Sequence, residues 1–248
     1  MIRSEQSGDL RLIWIDRPRK LNALTMPMIE AIGDELRKAA GESAVRGVIL
    51  GGTGPSTSAG VDLNEFAVGT PDTIRRLIGA LADTCAAARR CPKPVAMAIK
   101  GHCFGGALEL ACSCDFRNAA RGAVLAMPEV MLGIPSVIDA ALLERHVGFG
   151  RAQELVLTGE PINAERALMW GLVNRVVEAD QVLDSCRELI GRATRHDAGA
   201  IARQKQVFAD WLNLPLDQAV EQSKEALVES FQSGVPQRLA LDRLERSR

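Results

Sequence analysis

The segment KGHCFGGALEL, residues 100–110, carries one carboxylate, Glu109, in an apolar run that opens with two adjacent glycines. Both features are costly. Glycine weakens a helix, and a carboxylate removed from water without a partner is strongly disfavoured. A reaction that builds negative charge on a carbonyl oxygen would offset both. Gly105 and Gly106 stand where an apolar strand feeds a helix, and helix N-termini expose unpaired N–H groups with partial positive charge. Glycine lets another molecule approach those groups closely. The same argument applies to Ala59, Gly60 and Val61, just ahead of a helix that Asp62 can cap. Two such donors converging on one point would form an oxyanion hole. Tight turns with packing glycines fit the same spacing, and spacing alone leaves both readings open. A second acid, Glu129, follows Pro128 in a break between apolar stretches.

Other chemistries lack their residues. The loop GGTGPSTSAG (51–60) is followed by no lysine, so it is not a phosphate-binding P-loop. After Gly52 and Gly54, the third glycine of a dinucleotide fingerprint is replaced by Thr57. No G-x-S-x-G motif supplies a hydrolase nucleophile. His102, His146 and His196 lie far apart, and none of the six cysteines forms a C-x-x-C pair, so no metal centre is expected. The cysteines read as buried thiols, most clearly Cys103, Cys112 and Cys114 in apolar sequence. Charge is balanced, with 30 Lys and Arg against 31 Asp and Glu, which argues against a nucleic-acid partner. No apolar run approaches the ~18 residues of a membrane span. The N-terminus has no apolar signal core. The expectation is a soluble, cytoplasmic protein with no membrane partner.

The elements that must position these residues follow from periodicity. Apolar and β-branched runs predict strands at 10–16, 45–50, 95–99, 124–127 and 174–177. Helices are predicted from Thr25, with Pro27 in the first turn, to about Ala40, and from Asp62, with Glu65 at capping-box spacing. Further helices are expected at 72–90, from 105, and at 138–146, 151–157, 164–170, 181–194, 200–211 and 216–231. Met169 and Trp170 read as packing residues. The chain of 248 residues is therefore α/β, with a core over 1–190 and a helical region over 191–248.

Five stretches in order, DRPRKLNAL, SAGVDL, GHCFGGALELACSCD, AMPEVMLGI and GEPINAERALMWGLVNRVV, cover roughly residues 10–180. Together they resemble the enoyl-CoA hydratase/isomerase (crotonase) superfamily. The resemblance implies a crotonase-like spiral of β-β-α turns with a C-terminal helical trimerisation region, hence a homotrimer or homohexamer. It implies an acyl-CoA substrate and no separate cofactor, coenzyme A being part of the substrate. Carried over by motif, the backbone N–H groups of Val61 and Gly106 are the oxyanion donors, and Glu109 and Glu129 the catalytic acids. Arg19, Lys20 and Leu21, with Ala59 and Leu63, align with the loops that cradle the coenzyme. Asp62 and Gly105 adjoin the two donors.

Both acids together favour hydration of a 2,3-double bond: Glu109 takes a proton from water attacking C3, and Glu129 delivers one to C2. A double-bond isomerase and a catalytically silent acyl-CoA-binding protein are the alternatives. The chain departs from the family pattern after Glu129. Typical hydratases have a glycine-rich stretch leading to T-Q-R-L; here the sequence reads LGIPSVIDAALLERHVG. Ser136 and Asp139 are accordingly candidates for the acyl pocket, Asp139 being either a third acid there or a helix cap. The stretch PSTS before Ala59 replaces an aromatic-plus-cysteine pair, and the C-terminus lacks an aromatic-lysine pattern.

Overall fold

The computed structural model describes residues 1–247. Five of its strands fall in the expected apolar runs; His102–Phe104, Phe116–Ala120 and Ile162–Asn163 do not, and neither does the strand at the start. There β1 (Ile2–Ser7) pairs antiparallel with β2 (Leu10–Ile15), turning at Gly8 with φ +63°. The sequence pattern does not predict β1. It is an edge strand with no fully buried residue, so its charged side chains mask the period.

The remaining strands are β3 (Gly47–Gly52), β4 (Val95–Ile99), β5 (His102–Phe104), β6 (Phe116–Ala120), β7 (Val124–Ala126), β8 (Ile162–Asn163) and β9 (Arg175–Val177). They build two sheets. The larger has the order β1-β2-β3-β4-β6-β9, parallel from β2 onward; the smaller is β5-β7-β8. All residues of β3 and β4 are buried, as in a parallel sheet covered on both faces. The chain alternates between the sheets. β4 leads directly into β5 and β6 into β7, and the segment after β3 reaches the small sheet through a parallel bridge from Ser58 to Cys103. One strand in each sheet followed by a helix is the β-β-α turn that the resemblance implies.

The helices are α1 (Met26–Gly41), α2 (Leu63–Ala67), α3 (Pro71–Arg90), α4 (Gly106–Ser113), α5 (Leu143–Val147), α6 (Phe149–Thr158), α7 (Ala164–Trp170), α8 (Val182–Thr194), α9 (Ala198–Asn213), α10 (Leu216–Ser230) and α11 (Val235–Arg246). Asp62 caps α2, its carboxylate accepting from Asn64 N at 2.9 Å. The expected capping box is not completed: Glu65 turns instead to Met26 N, at 3.3 Å. A box does form on α3, between Thr70 and Thr73.

The division drawn after residue 190 falls inside α8, which belongs to the core. Cys186 and Ile190 are fully buried, and Ser185 accepts from Asn118 Nδ2 at 2.9 Å. The helices beyond it are α9–α11, α9 being tied back through Lys205 to Asp115 and to Lys93 O. All six cysteines are buried and unpaired, and burial pushes the Cys85, Cys112 and Cys186 thiols up to about 12. Trp170 is buried as expected, but Met169 is exposed, lying on the opposite face of α7. Among the described residues no helix is long and apolar enough to cross a membrane.

Candidate active site

The small sheet brings three chain segments to one place. β5 and β7 are parallel and in register, Phe104 opposite Ala126, so both segments leave the sheet at the same end. The first continues into Gly105, Gly106 and α4, which carries Glu109. The second continues through Met127 into a 3-10 turn, Pro128–Leu132, which carries Glu129. Gly105 N ties the two exits together by donating to Ala126 O at 2.9 Å. The third segment runs from Ser58, bridged to Cys103, to Ala59, Gly60 and Val61. Ligand sites at the carboxyl ends of parallel strands follow from this kind of topology.

The glycines are required by position. Gly105 has φ +51°, and a β-carbon there would lie 2.6 Å from Glu129 Oε1, so any other residue would be strained and would evict the carboxylate. Gly60 has φ +90°, and a β-carbon would lie 2.7 Å from Phe104 O. The same β-carbon position is 3.7 Å from Gly106 N, which sets the Val61 and Gly106 segments side by side. Leu24 N donates to Gly60 O and Asp62 N to Leu24 O, both at 2.8 Å. That pairing uses one side of the strand and leaves the Val61 N–H on the other. Gly106 is the first residue of α4, where the N–H has no intrahelical acceptor. Among the described residues neither N–H donates to a protein group.

These segments line a cleft of about 90 Å³. Of the residues singled out in the sequence, Ala59, Val61, Leu63, Gly105, Gly106, Glu109 and Glu129 face it. Its apolar wall comes from Phe66, Ile78, Leu81, Ile134 and Val137. Sequence reasoning named none of these individually, because α3 shows several apolar positions and only packing selects which face the cleft.

Glu109 is 3% exposed. Its Oε2 accepts from Asp139 N at 3.0 Å. Burial, reinforced by the charge of Glu129, pushes its carboxyl up to about 8. Glu129 is half-buried and its Oε2 accepts from Ser136 Oγ at 2.9 Å. Burial raises it as well, opposed by hydrogen bonds from its own backbone and from Ser136. Two neighbouring acids with raised values hold one proton between them near neutral pH.

Six expected contact residues stand elsewhere. Ser136 and Asp139 do not line the cleft; they touch the two acids, one each. Asp62 is buried and spent on Arg17 and Asn64, which hold its carboxyl below the usual range. Leu21 is exposed, but its carbonyl accepts from Ala59 N at 2.9 Å, so its loop abuts the cleft rim. Arg19 and Lys20 are exposed on the 3-10 turn Pro18–Lys20 that Leu21 closes, and make no ion pair among the described residues. Sequence reasoning missed Asn22. It is fully buried with φ +57°, and its amide bonds Arg17 N, Thr53 O and Ser56 O, pinning this loop to the next.

The family model described as "Enoyl-CoA hydratase/isomerase" matches residues 5–243. A short-chain-enoyl-CoA hydratase of Clostridium acetobutylicum is 34% identical over 233 residues, covering 92% of this chain and 88% of the relative. A crotonyl-CoA hydratase of Syntrophomonas wolfei is 33% identical over 219 residues, covering 87% and 84%. The crystal structure of an enoyl-CoA hydratase subunit I from Geobacillus kaustophilus superposes with a TM-score of 0.92 at 28% identity, covering 99% of this chain and 95% of that one. With the strand order, the paired glycine turns and a family match spanning nearly the whole sequence, the chain belongs to the enoyl-CoA hydratase/isomerase family of the crotonase superfamily.

Proposed function

We propose that this protein is an enoyl-CoA hydratase that adds water across the 2,3-double bond of an acyl-CoA thioester. One observation carries the reading: two acids with raised proton affinity, one buried and one half-buried, face one apolar cleft that also receives two backbone N–H groups unpaired among the described residues. The Val61 and Gly106 N–H groups bind the thioester oxygen and stabilise the enolate charge that develops there. Glu129 Oε1 lies against Gly105, the thioester end of the cleft, and so serves C2. Glu109, three residues beyond Gly106 on α4, serves the water that attacks C3. In the reactive form of the pair the shared proton lies on Glu129 and Glu109 is ionised: the water's proton passes to Glu109 as its oxygen bonds C3, and Glu129 gives its proton to C2. The acids' proton count is restored when Glu109 returns its proton to Glu129. Arg19 and Lys20, free of ion pairs at the rim, bind the coenzyme's phosphates. No separate cofactor takes part.

The assembly is a homotrimer or a homohexamer, closed by the helical region from α9 onward. Large apolar side chains are exposed there, among them Trp211, Leu216 and Leu227, and a second copy would bury them.

Incubation with crotonyl-CoA, following the conjugated-enoyl absorbance, tests the chemistry. Loss of absorbance with formation of a 3-hydroxyacyl product is expected. Gain of conjugation from a 3-enoyl-CoA without hydration would identify an isomerase instead. Tight binding of CoA esters without turnover would leave a silent acyl-CoA-binding protein.

A further inference from the structure

A buried polar cluster adjoins Glu109 and plays no part in the hydration steps. The Asp139 carboxylate accepts from Ser113 Oγ of α4 and pairs with the Arg89 guanidinium of α3. Asp139 is 7% exposed, and none of the three residues lines the cleft. Ser113 Oγ also lies 2.8 Å from Glu109 O, one helical turn before it. Two helices therefore grip one carboxylate in a 3-10 turn, Ile138–Leu142.

The residue just before that carboxylate is strained. Ile138 has φ +50°, a left-handed conformation that a β-branched side chain disfavours. Glycine takes it freely, and this is the stretch where the family pattern leads one to expect glycine. The strained turn has one visible product: it aims the Asp139 N–H at Glu109 Oε2, 3.0 Å away.

We propose that Asp139 is a positioning residue: clamped by Arg89 and Ser113, it holds Ile138 in the left-handed conformation and so keeps its own N–H on Glu109. The inference rests on the reading of Glu109 as an acid–base group. A buried carboxylate free to rotate would meet the attacking water in several orientations, and a single fixed donor selects one of them. The other titratable groups around Glu109 are Glu129, Cys85 on α3 and Cys112 on its own helix, and both thiols stay protonated near neutral pH.

The test is steady-state hydration of crotonyl-CoA by variants whose folding is checked by thermal melting. Asp139→Ala is expected to lower kcat about 10–100-fold with KM within about threefold. Adding Ile138→Gly to that variant should recover at least about threefold in kcat, because glycine reaches the required φ without a clamp. A merely structural Asp139 predicts no such recovery. Asp139→Asn keeps the shape, an oxygen for Ser113 Oγ and the backbone N–H, and it should retain most of kcat. A kcat within about twofold of wild type in Asp139→Ala overturns the proposal, as does a loss that Ile138→Gly leaves unchanged. If Asp139→Ala does not fold, a kcat loss of more than about tenfold in Asp139→Asn, which keeps the clamp's shape and the N–H, overturns it. Glu109→Gln separates the two levels. Wild-type turnover there removes the hydratase reading itself, whereas a crippled Glu109→Gln beside an unaffected Asp139→Ala removes this inference alone.

Discussion

The spiral core and the helices after it are built on opposite terms. In the core, β3, β4 and α4 are buried throughout, and even Glu109, Asp139, Arg117 and Asn118 are taken out of water with partners. In α9–α11 only Val207 and Ala219 are buried, while Phe208, Trp211, Leu227, Val228 and Leu241 stand exposed. The core satisfies its own surfaces and can hold strained residues such as Ile138 in place. The later helices hold apolar faces with nothing of their own chain to cover them. On the proposed reading, rigidity for chemistry and exposed apolar faces for assembly fall to different stretches of one chain.

The largest expected effects test whether the chemistry belongs to the core alone. Glu109→Gln and Glu129→Gln should each lower kcat for crotonyl-CoA hydration by about 10²–10⁴-fold with KM little changed. Quenched-flow or steady-state rates at matched enzyme concentration check this, and near wild-type kcat in both variants would end the two-acid mechanism. Gly105→Ala should follow. It forces a side chain into φ +51° and against Glu129 Oε1, so the fold should lose about 1–3 kcal/mol and kcat should fall with it. Chemical denaturation with activity on the same samples reads both.

A smaller change is expected from the other region. Trp211→Asp together with Leu227→Asp should convert the assembled form to smaller species in sedimentation velocity. If the comparison holds, the far-ultraviolet circular dichroism of the core is preserved and the melting temperature becomes dependent on protein concentration only in the wild type. An unchanged sedimentation coefficient would show that these apolar faces are not the contact. The pH profile is subtler still. The acid pair needs one proton, and the value of about 8 for Glu109 marks where the last is lost. So kcat/KM should fall on raising the pH through about 8, and Glu129→Gln should alter that limb because the partner's charge is one of its causes.

How far the sequence could be read follows the same division. Glu109 was conspicuous because a carboxylate in an apolar run demands a reason, and Gly105 and Gly106 because glycine there has a backbone explanation. β4 matched its apolar run at both ends, and α7 matched 164–170. What periodicity could not supply was anything fixed by tertiary context. β5 and β8 have three and two residues, too few to show a period, and exist because neighbouring strands accept them. The left-handed φ of Ile138 contradicts its residue type and is imposed by the grip on Asp139. Ser136 and Asp139 were candidates for the acyl pocket, yet the Ser136 hydroxyl bonds Glu129, and Asp139 offers Glu109 its backbone N–H while its carboxylate turns to Ser113 and Arg89. α11 escaped notice because its apolar residues make no buried stripe within this chain.

The smallest effect concerns stability, and it sharpens the contrast most directly, because only a group buried by the core can produce it. The Glu109 carboxyl binds its proton more tightly in the folded protein than in the unfolded chain, about 8 against an ordinary value of 4.5. Between those two values the folded state holds more protons, so its stability falls as pH rises, until Glu109 ionises in both states. Glu109→Gln removes the titration and keeps the shape. It should therefore stabilise the protein progressively as the pH rises from 5 to 9, by on the order of 2 kcal/mol at the top of that range, with little effect at pH 5. Denaturant unfolding of wild type and variant across that range gives the difference. A flat line for Glu109→Gln would mean that water reaches this carboxylate, and that the core does not isolate its site as its packing implies.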